Sequence, residues 1–498
     1  IVAQNYPEQG KIDIHDISRF KEDEKIKDLL RNAKAIGCFY VESPAMRMLL
    51  KKLQVDDYLG LVAASSVIRP GVAKSGMMRE YILRYRFPER RKEAHPVMLD
   101  IMPETYGVMV YQEDVIKVAH YFGGLNLGES DVLRRGMSGK SRSKEEFSKV
   151  KELFFINCSS SGKPLKLVQE IWMQIESFAG YAFAKGHSAS YAVESYQSLF
   201  LKAYYPLEYM VATINNFGGF YQTELYVHEA RMHGASINAP CVNRSLDATT
   251  IYDKNIFIGF LFLQSLETKT RERLLIERKK GVFKSLDDFI DRVLISIEQI
   301  RILIKIDAFR FTGINKRELL WEAHMKIKKV VFEEPSATLF ETEKIMYETP
   351  KLSSSILEDA FDQIELLGYS LCNPFDLLVE DFSNSFRAKN LSRFKDRMVC
   401  IEGYLVTVKK TKTSKGKIMC FGTFLDIDGD FLDTVHFPPV AEKFPFRGRG
   451  IYRLMGKVVE EFDCVSLEII SMERLAIIED PRYADSRKAQ RPRPKKIN

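Results

Sequence analysis

The chain has 498 residues, 45% hydrophobic and 11% aromatic, which is enough to bury real cores and to fill about three domains. A formal charge of +7 is too small for this length to name a partner by itself, so the placement of the charge matters more. No apolar run reaches the roughly 18 residues a membrane-spanning helix needs, and no signal peptide leads the chain; a cytoplasmic protein without a membrane partner is expected.

The seven cysteines, Cys38, Cys158, Cys241, Cys372, Cys400, Cys420 and Cys464, are scattered without a Cys-x-x-Cys pair. A structural zinc is therefore not expected, and reduced thiols are. The eight histidines do not cluster either, and His228 and His233 read as surface residues of a helix. The first residue is Ile, from which we expect the sequence to start inside a longer protein.

Residues 1–68 read as helices with short connections, with Pro44 at a helix entry where its missing amide costs nothing. A basic segment follows. Arg69, Lys74, Arg79, Arg84, Arg86, Arg90, Arg91 and Lys92 stand against Glu80 and Glu89, with Tyr81 and Tyr85 interleaved. Such a run is a footprint for a phosphate backbone, although a solvated face has the same composition. TYGVMVYQEDVIKVAHYFGG (105–124) reads as a strand or turn leading into a helix that ends at Gly123-Gly124. In GESDVLRRGMSGK (128–140), Ser130 is the expected helix cap, and Arg134 and Arg135 point about 100° apart. Two guanidiniums so arranged can grip a triphosphate from two directions.

The stretch FAGYAFAKGHSASYAVESYQSLFLKAYYP (178–206) predicts a helix from Ser188 to Tyr205, with Ser188 as N-cap and Pro206 as its end. Ala189, Val193, Tyr196, Leu199, Phe200 and Ala203 form one face at helical spacing. Ser188, Tyr191, Ser195, Ser198 and Lys202 form a second, hydroxyl-rich face that could hold something polar. A helix N-terminus beside Lys185 and His187 suits a phosphate. An ordinary buried helix with a basic turn fits the same residues.

Residues 256–313 read as small helices with loops, and 328–344 break that pattern. From about 396 the period changes to two, and about five strands alternate with turns. Five strands with basic loops such as Lys409, Lys410 and Lys412 fit a small barrel of the oligonucleotide-binding type. Asp426-Ile-Asp428-Gly-Asp430 reads as a turn and not as a calcium loop, because Phe437 stands where the twelfth ligand would be. The tail RKAQRPRPKKIN is basic and reads as disordered.

The runs FYVESPAMRMLLKKL, IRPGVAKSGM, TYGVMVYQEDVIKVAHYFGG, SDVLRRGM, FAGYAFAKGHSASYAVESYQSLFLKAYYPLEYM and EARMHGASINAPCVNRS occur in this order. Together they strongly resemble the alpha subunits of bacterial DNA polymerase III, the C-family DNA-directed DNA polymerases. The resemblance implies mainly helical fingers over 1–222, a helix-hairpin-helix and clamp-binding region over 223–360, a linker over 361–395, a small OB-like β-barrel over 396–475 and a basic tail over 476–498. It implies a nucleotide pocket lined by Arg69, Arg134, Arg135, Lys185, His187, Ser188 and Tyr191. DNA contacts are expected from Lys74, Arg79, Arg84, Arg86, Arg90, Arg91, Lys92, Lys409, Lys410 and Lys412.

The resemblance further implies primer-template DNA, single-stranded template at the barrel, a sliding clamp and other replicase subunits as partners. The internal clamp motif would be Ser336, Ala337, Thr338, Leu339 and Phe340, docking as an extended peptide. Its first position is Ser336, where the family usually carries Gln. The hairpin LQSLETK (263–269) lacks the family's glycines. The family's Mg2+ is held by three palm aspartates, which lie before the segment matching Ile1, and no acidic residue of this chain matches them. The expected function is therefore the nucleotide- and DNA-gripping part of a nucleotidyltransferase whose metals and catalytic residues lie outside the chain. The alternative is a non-catalytic DNA-binding or clamp-tethering module.

Overall fold

The computed structural model describes residues 1–9, 12–68, 76–137, 144–178, 184–327, 356–380, 386–413 and 415–483. Arg69, Lys74 and the motif Ser336, Ala337, Thr338, Leu339 and Phe340 lie outside the described residues, as does 484–498 of the predicted tail. The chain divides into two compact units, one of Gln9–Pro206 with Glu460–Val465, the other of Ile1–Glu8, Leu207–Val459 and Ser466–Asn498.

The first unit is helical: α1 Ile17–Glu22, α2 Glu24–Arg31, α3 Pro44–Leu53, α4 Tyr58–Val67, α5 Met77–Arg86, α6 Pro96–Ile101, α7 Gln112–Lys117, α8 Leu127–Met137, α9 Lys144–Ser160, α10 Leu165–Ser177 and α11 Lys185–Tyr204. Pro44 is the first residue of α3, as predicted, and Ser43 caps it by accepting from the Met46 amide. The predicted cap of α8 is corrected. Asn126 and Glu129 exchange side-chain-to-amide hydrogen bonds of 2.9 and 2.8 Å, a reciprocal box that starts the helix at Leu127. Ser130 lies buried inside that helix and donates to the Asn126 carbonyl.

Helix α11 packs against α1, α2 and α4. It starts at Lys185 after Ala184, so Ser188 is not its cap but a fully buried residue whose hydroxyl meets that of Ser66 at 2.6 Å. The hydroxyl-rich face is likewise a packing face. Ser195 donates to Phe39 O, Ser198 accepts from Phe39 N, and Lys202 Nζ donates to Ile36 O at 2.6 Å. These side chains satisfy the backbone of an irregular segment that no strand or helix could pair, which buried polar groups require. Phe200 completes the packing by stacking on Phe20 with ring centroids 4.3 Å apart.

The second unit opens with α12 Pro206–Asn215 and α13 Thr223–Met232. A small sheet of β1 Ser236–Asn238, β2 Thr250–Tyr252 and β3 Asn255–Phe257 follows in the order β1-β3-β2. Asn215 both donates to and accepts from the backbone of Thr249, tying α12 to this unit. The compact first unit accordingly ends at Pro206, short of residue 222. Helices α14 Thr268–Lys279, α15 Leu286–Val293, α16 Ile297–Lys305 and α17 Lys316–Ile327 come next, then α18 Ile356–Leu367. Part of the expected linker is thus folded. Asp359 and Asp362 of α18 both accept from Lys316 of α17, a buried cation.

Strands β4 Met398–Lys412, β5 Ile418–Leu425, β6 Phe431–His436, β7 Ile451–Glu461 and β8 Cys464–Arg474 close into the expected five-stranded barrel in the order β4-β5-β6-β8-β7, with α19 Pro438–Lys443 between β6 and β7. Gly456 permits one close approach within it, since a Cβ there would stand 2.4 Å from the Glu468 carbonyl oxygen. Asp426–Asp430 forms the β5–β6 turn, its Asp426 carboxylate accepting from the amides of Asp430 and Ala388.

His436 is fully buried in the barrel beside Phe446, with Nε2 2.9 Å from Thr434 Oγ1. Burial pulls its imidazole down to about 4. Between that value and the ordinary 6.5 the unfolded chain binds a proton that the barrel excludes. Barrel stability is therefore expected to be full above about pH 6.5 and to fall by about 3 kcal/mol toward pH 4, roughly 1.4 kcal/mol for each unit of the shift. Hydrogen exchange of barrel amides as a function of pH checks this, because His436→Asn should remove that slope. An equal slope in both proteins would assign the acid sensitivity elsewhere.

Candidate nucleotide and nucleic-acid site

The amino end of α11 carries the clearest concentration of predicted nucleotide residues. Its amides are largely engaged. The Lys185 amide donates to both carboxylate oxygens of Glu113 at 3.1 and 3.0 Å, and those of His187 and Ser188 donate to the Ala184 carbonyl. The expectation of free amides converging on a phosphate is thereby corrected, because Glu113 already supplies the anion that the positive helix end attracts. What remains is side-chain chemistry. Lys185 Nζ pairs with the Glu104 carboxylate, holding that carboxyl below its ordinary range, and lies 5.6 Å from the centre of the Tyr111 ring. His187 is exposed.

Glu113 sits on α7, and α7 packs on α8, the helix of Arg134 and Arg135. Both arginines pair with Asp131, at 2.7 and 3.1 Å. Helix α7 therefore links the Lys185 end of α11 with the two-arginine helix in one framework. Each of these cations holds a solvent-accessible carboxylate. Such exposed pairs are worth about 0–1 kcal/mol, so a polyanion can displace the carboxylates easily.

Tyr191 is half-buried in an aromatic group with Phe39 and Tyr40, at centroid distances of 5.6 and 4.9 Å. Phe39 is 43% exposed, so this group presents ring surface to solvent. Ser188 does not belong with these residues, because it is 0% exposed and engaged by Ser66. Sequence reasoning missed Glu104, Glu113, Asp131, Phe39 and Tyr40. For Asp131, the spacing of three and four to Arg134 and Arg135 was the available signal.

The basic segment is less of a phosphate track than its composition suggested. Arg84 donates to Tyr106 O and pairs with Glu80, Arg86 donates to Lys52 O, and Arg91 donates to Arg84 O while lying 4.0 Å from the centre of the Tyr106 ring. Lys52 and Arg84 lie in the last turns of α3 and α5, so two of these guanidiniums satisfy carbonyls that helix ends leave orphaned. Arg90 pairs with Glu93 at 2.5 Å. Arg79 and Lys92 are exposed.

On the barrel, Lys409, Lys410 and Lys412 are exposed and lie within strand β4, not in a loop as expected. The register sets Lys409 opposite Phe421 and Lys412 opposite Ile418, which are 41% and 53% exposed. Directly opposed residues share a sheet face, so a lysine and an aromatic ring stand together on one surface. That combination suits single-stranded nucleic acid, which uses cations for its phosphates and rings for its bases.

In the helix-hairpin-helix region, the Gln264 amide donates to Leu366 O and the Glu267 amide to Gln299 Oε1. Two amides of the glycine-free hairpin are thus occupied within the protein. His228 is partly buried, with Nε2 3.1 Å from Gly429 O, and is not the surface residue expected. Among the described residues no three His, Cys, Asp or Glu side chains gather as a metal site, and no helix is long and apolar enough to cross a membrane.

Residues 1–162 match the bacterial DNA polymerase III alpha subunit finger domain, and residues 234–319 match a helix-hairpin-helix motif. The DNA polymerase III subunit alpha of Aquifex aeolicus is 30% identical over 444 residues, covering 88% of this chain and 37% of the relative. Its namesake from Treponema pallidum is 31% identical over 470 residues, covering 89% of this chain and 39% of the relative. That of Borreliella burgdorferi is 28% identical over 482 residues, covering 91% and 42%. The chain spans about two fifths of the length of these curated relatives. With a helical finger region, a helix-hairpin-helix region and a closed five-stranded barrel in that order, this chain matches the bacterial DNA polymerase III alpha subunit, a C-family DNA polymerase, over most of its own length.

Proposed function

We propose that this chain supplies the incoming-nucleotide and DNA-holding part of a template-directed DNA polymerase. The observation that carries the reading is the set of cations at α11 and α8, Lys185, Arg134 and Arg135, each paired with a carboxylate that a triphosphate can replace. Lys185 and the two arginines would neutralise the triphosphate. His187 would contact phosphate and donate a proton to the departing pyrophosphate, as a general acid does. Tyr191 and Phe39 would pack against sugar or base. Mg2+ held by aspartates outside this chain would activate the primer hydroxyl and stabilise the leaving group. The partners in this reading are primer-template DNA, single-stranded template at β4–β5, a sliding clamp through 336–340 and further replicase subunits, in a bacterial cytoplasm.

Salt-dependent binding of single-stranded DNA tests the DNA-holding part. Replacing Lys409, Lys410 and Lys412 with Ala should flatten the plot of log affinity against log salt by about 0.7 for each phosphate that the variant no longer neutralises. Arg84→Ala should leave that slope unchanged while lowering stability, because Arg84 is engaged by the Tyr106 carbonyl. A slope that responds to Arg84 and not to the three lysines would reverse the assignment.

A further inference from the structure

A cavity of about 210 Å³ lies in the second unit, between α13, residues 369–375, the middle of β4 and the end of β5. Its walls are mostly apolar, and Glu224, Arg231 and Tyr369 are among the polar side chains that line it. Glu224 accepts from the Tyr404 hydroxyl at 2.9 Å on one oxygen and meets Arg449 at 3.2 Å on the other. Arg231 donates one amine to Leu371 O at 2.7 Å. Tyr369 is 6% exposed, and its hydroxyl has no hydrogen-bond partner. A buried orphan hydroxyl costs about 1–3 kcal/mol, which a ligand offering a partner would relieve.

The volume falls below the roughly 300 Å³ at which drug-sized sites begin, so it has room for a single ring system and not for a whole nucleotide. Its edge must complement a carboxylate, a guanidinium and a phenol. A carboxylate has about four lone-pair sites and a guanidinium five donors, so Glu224 and Arg231 keep capacity beyond their present bonds. Guanine is the base that sets two neighbouring N–H donors beside an acceptor oxygen, with a ring nitrogen as a further acceptor.

We propose that this cavity binds a guanine base, with Glu224 accepting from its N–H edge and Arg231 and Tyr369 donating to its acceptors. The same chemistry could come from a free nucleoside or from an unpaired guanine of a strand. This site shares no residue with the cations at α8 and α11 and stands whether or not they hold a triphosphate.

The test uses the chain itself, with guanosine, adenosine and cytidine titrated by calorimetry. Thymine oligonucleotides with and without one central guanine form a second arm. Guanosine should bind saturably and in preference to the other two nucleosides. Tyr369→Phe removes only an unpartnered hydroxyl and should weaken guanosine binding about tenfold while raising the thermal stability of the free protein. A preference for the guanine-containing strand that Tyr369→Phe abolishes identifies the strand as the source; its absence alongside guanosine binding identifies the free nucleoside. Failure of guanosine to saturate, binding equal to adenosine, or an unaffected Tyr369→Phe variant would overturn the proposal.

Discussion

Replacing Lys316 with Met is expected to destabilise the second unit by about 3 kcal/mol, the lower end of what removing one partner from a buried ion pair costs. Lys316 Nζ lies 2.5 Å from Asp359 and 2.6 Å from Asp362, and the Asp362 side chain is only 4% exposed. Methionine keeps most of the packed stem but leaves two carboxylates facing each other without their shared cation. Two features hold the loss near the lower end. Arg482 still reaches Asp362, and Asp359, 43% exposed, can recover water. Urea denaturation followed by Trp321 fluorescence measures the loss, since Trp321 lies on α17 with Lys316. Lys316→Arg should recover part of it by restoring charge in a longer fork. A loss below 1 kcal/mol would mean that the pair behaves as an exposed one.

This network also shows why the stretch beyond 360 reads as a linker. Its ordering partner is Lys316, more than forty positions earlier, and local pattern does not report such a partner. The barrel is legible for the opposite reason. Its strands alternate at period two, and each edge is paired by a neighbour, so local pattern and final structure agree. The long helix near 185–204 is legible in extent but not in orientation. A seryl-rich face reads as polar, yet here it is buried because an irregular segment at 36–39 needs its hydroxyls and Lys202.

The same distinction governs the candidate sites. Arginines at 84, 86 and 91 have the composition of a DNA track. Three of the carbonyls they satisfy, on Lys52, Arg84 and Tyr106, become neighbours only after folding. Lysines at 409, 410 and 412 keep the surface role their composition suggests, and the opposing Phe421 emerges only from strand register. At the proposed nucleotide site the cationic residues are visible in sequence. The carboxylates that balance them are not, apart from Asp131.

The larger effect is expected at that site. Lys185→Ala and Arg134→Ala should each lower nucleotide incorporation by about 10²-fold, the scale of losing one fixed group that stabilises developing charge. Neither change should unfold the chain. The Lys185–Glu104 pair is 36% and 61% exposed and the Arg134–Asp131 pair 36% and 39%, so each contributes about 0–1 kcal/mol. Asp131 also keeps Arg135 at 3.1 Å after Arg134 is removed. Loss of incorporation with preserved stability therefore separates a nucleotide-gripping role from a structural one. His187→Gln should act differently, keeping nucleotide affinity while slowing the chemical step.

The decisive measurement is primer extension by a polypeptide that joins this chain to the part of a curated relative that it does not cover, with Mg2+ and deoxynucleoside triphosphates supplied. The account predicts extension that drops about 10²-fold in Lys185→Ala and in Arg134→Ala, with primer-template affinity retained. Near-normal extension by both variants would contradict it and leave the chain a DNA-binding module whose nucleotide is held elsewhere.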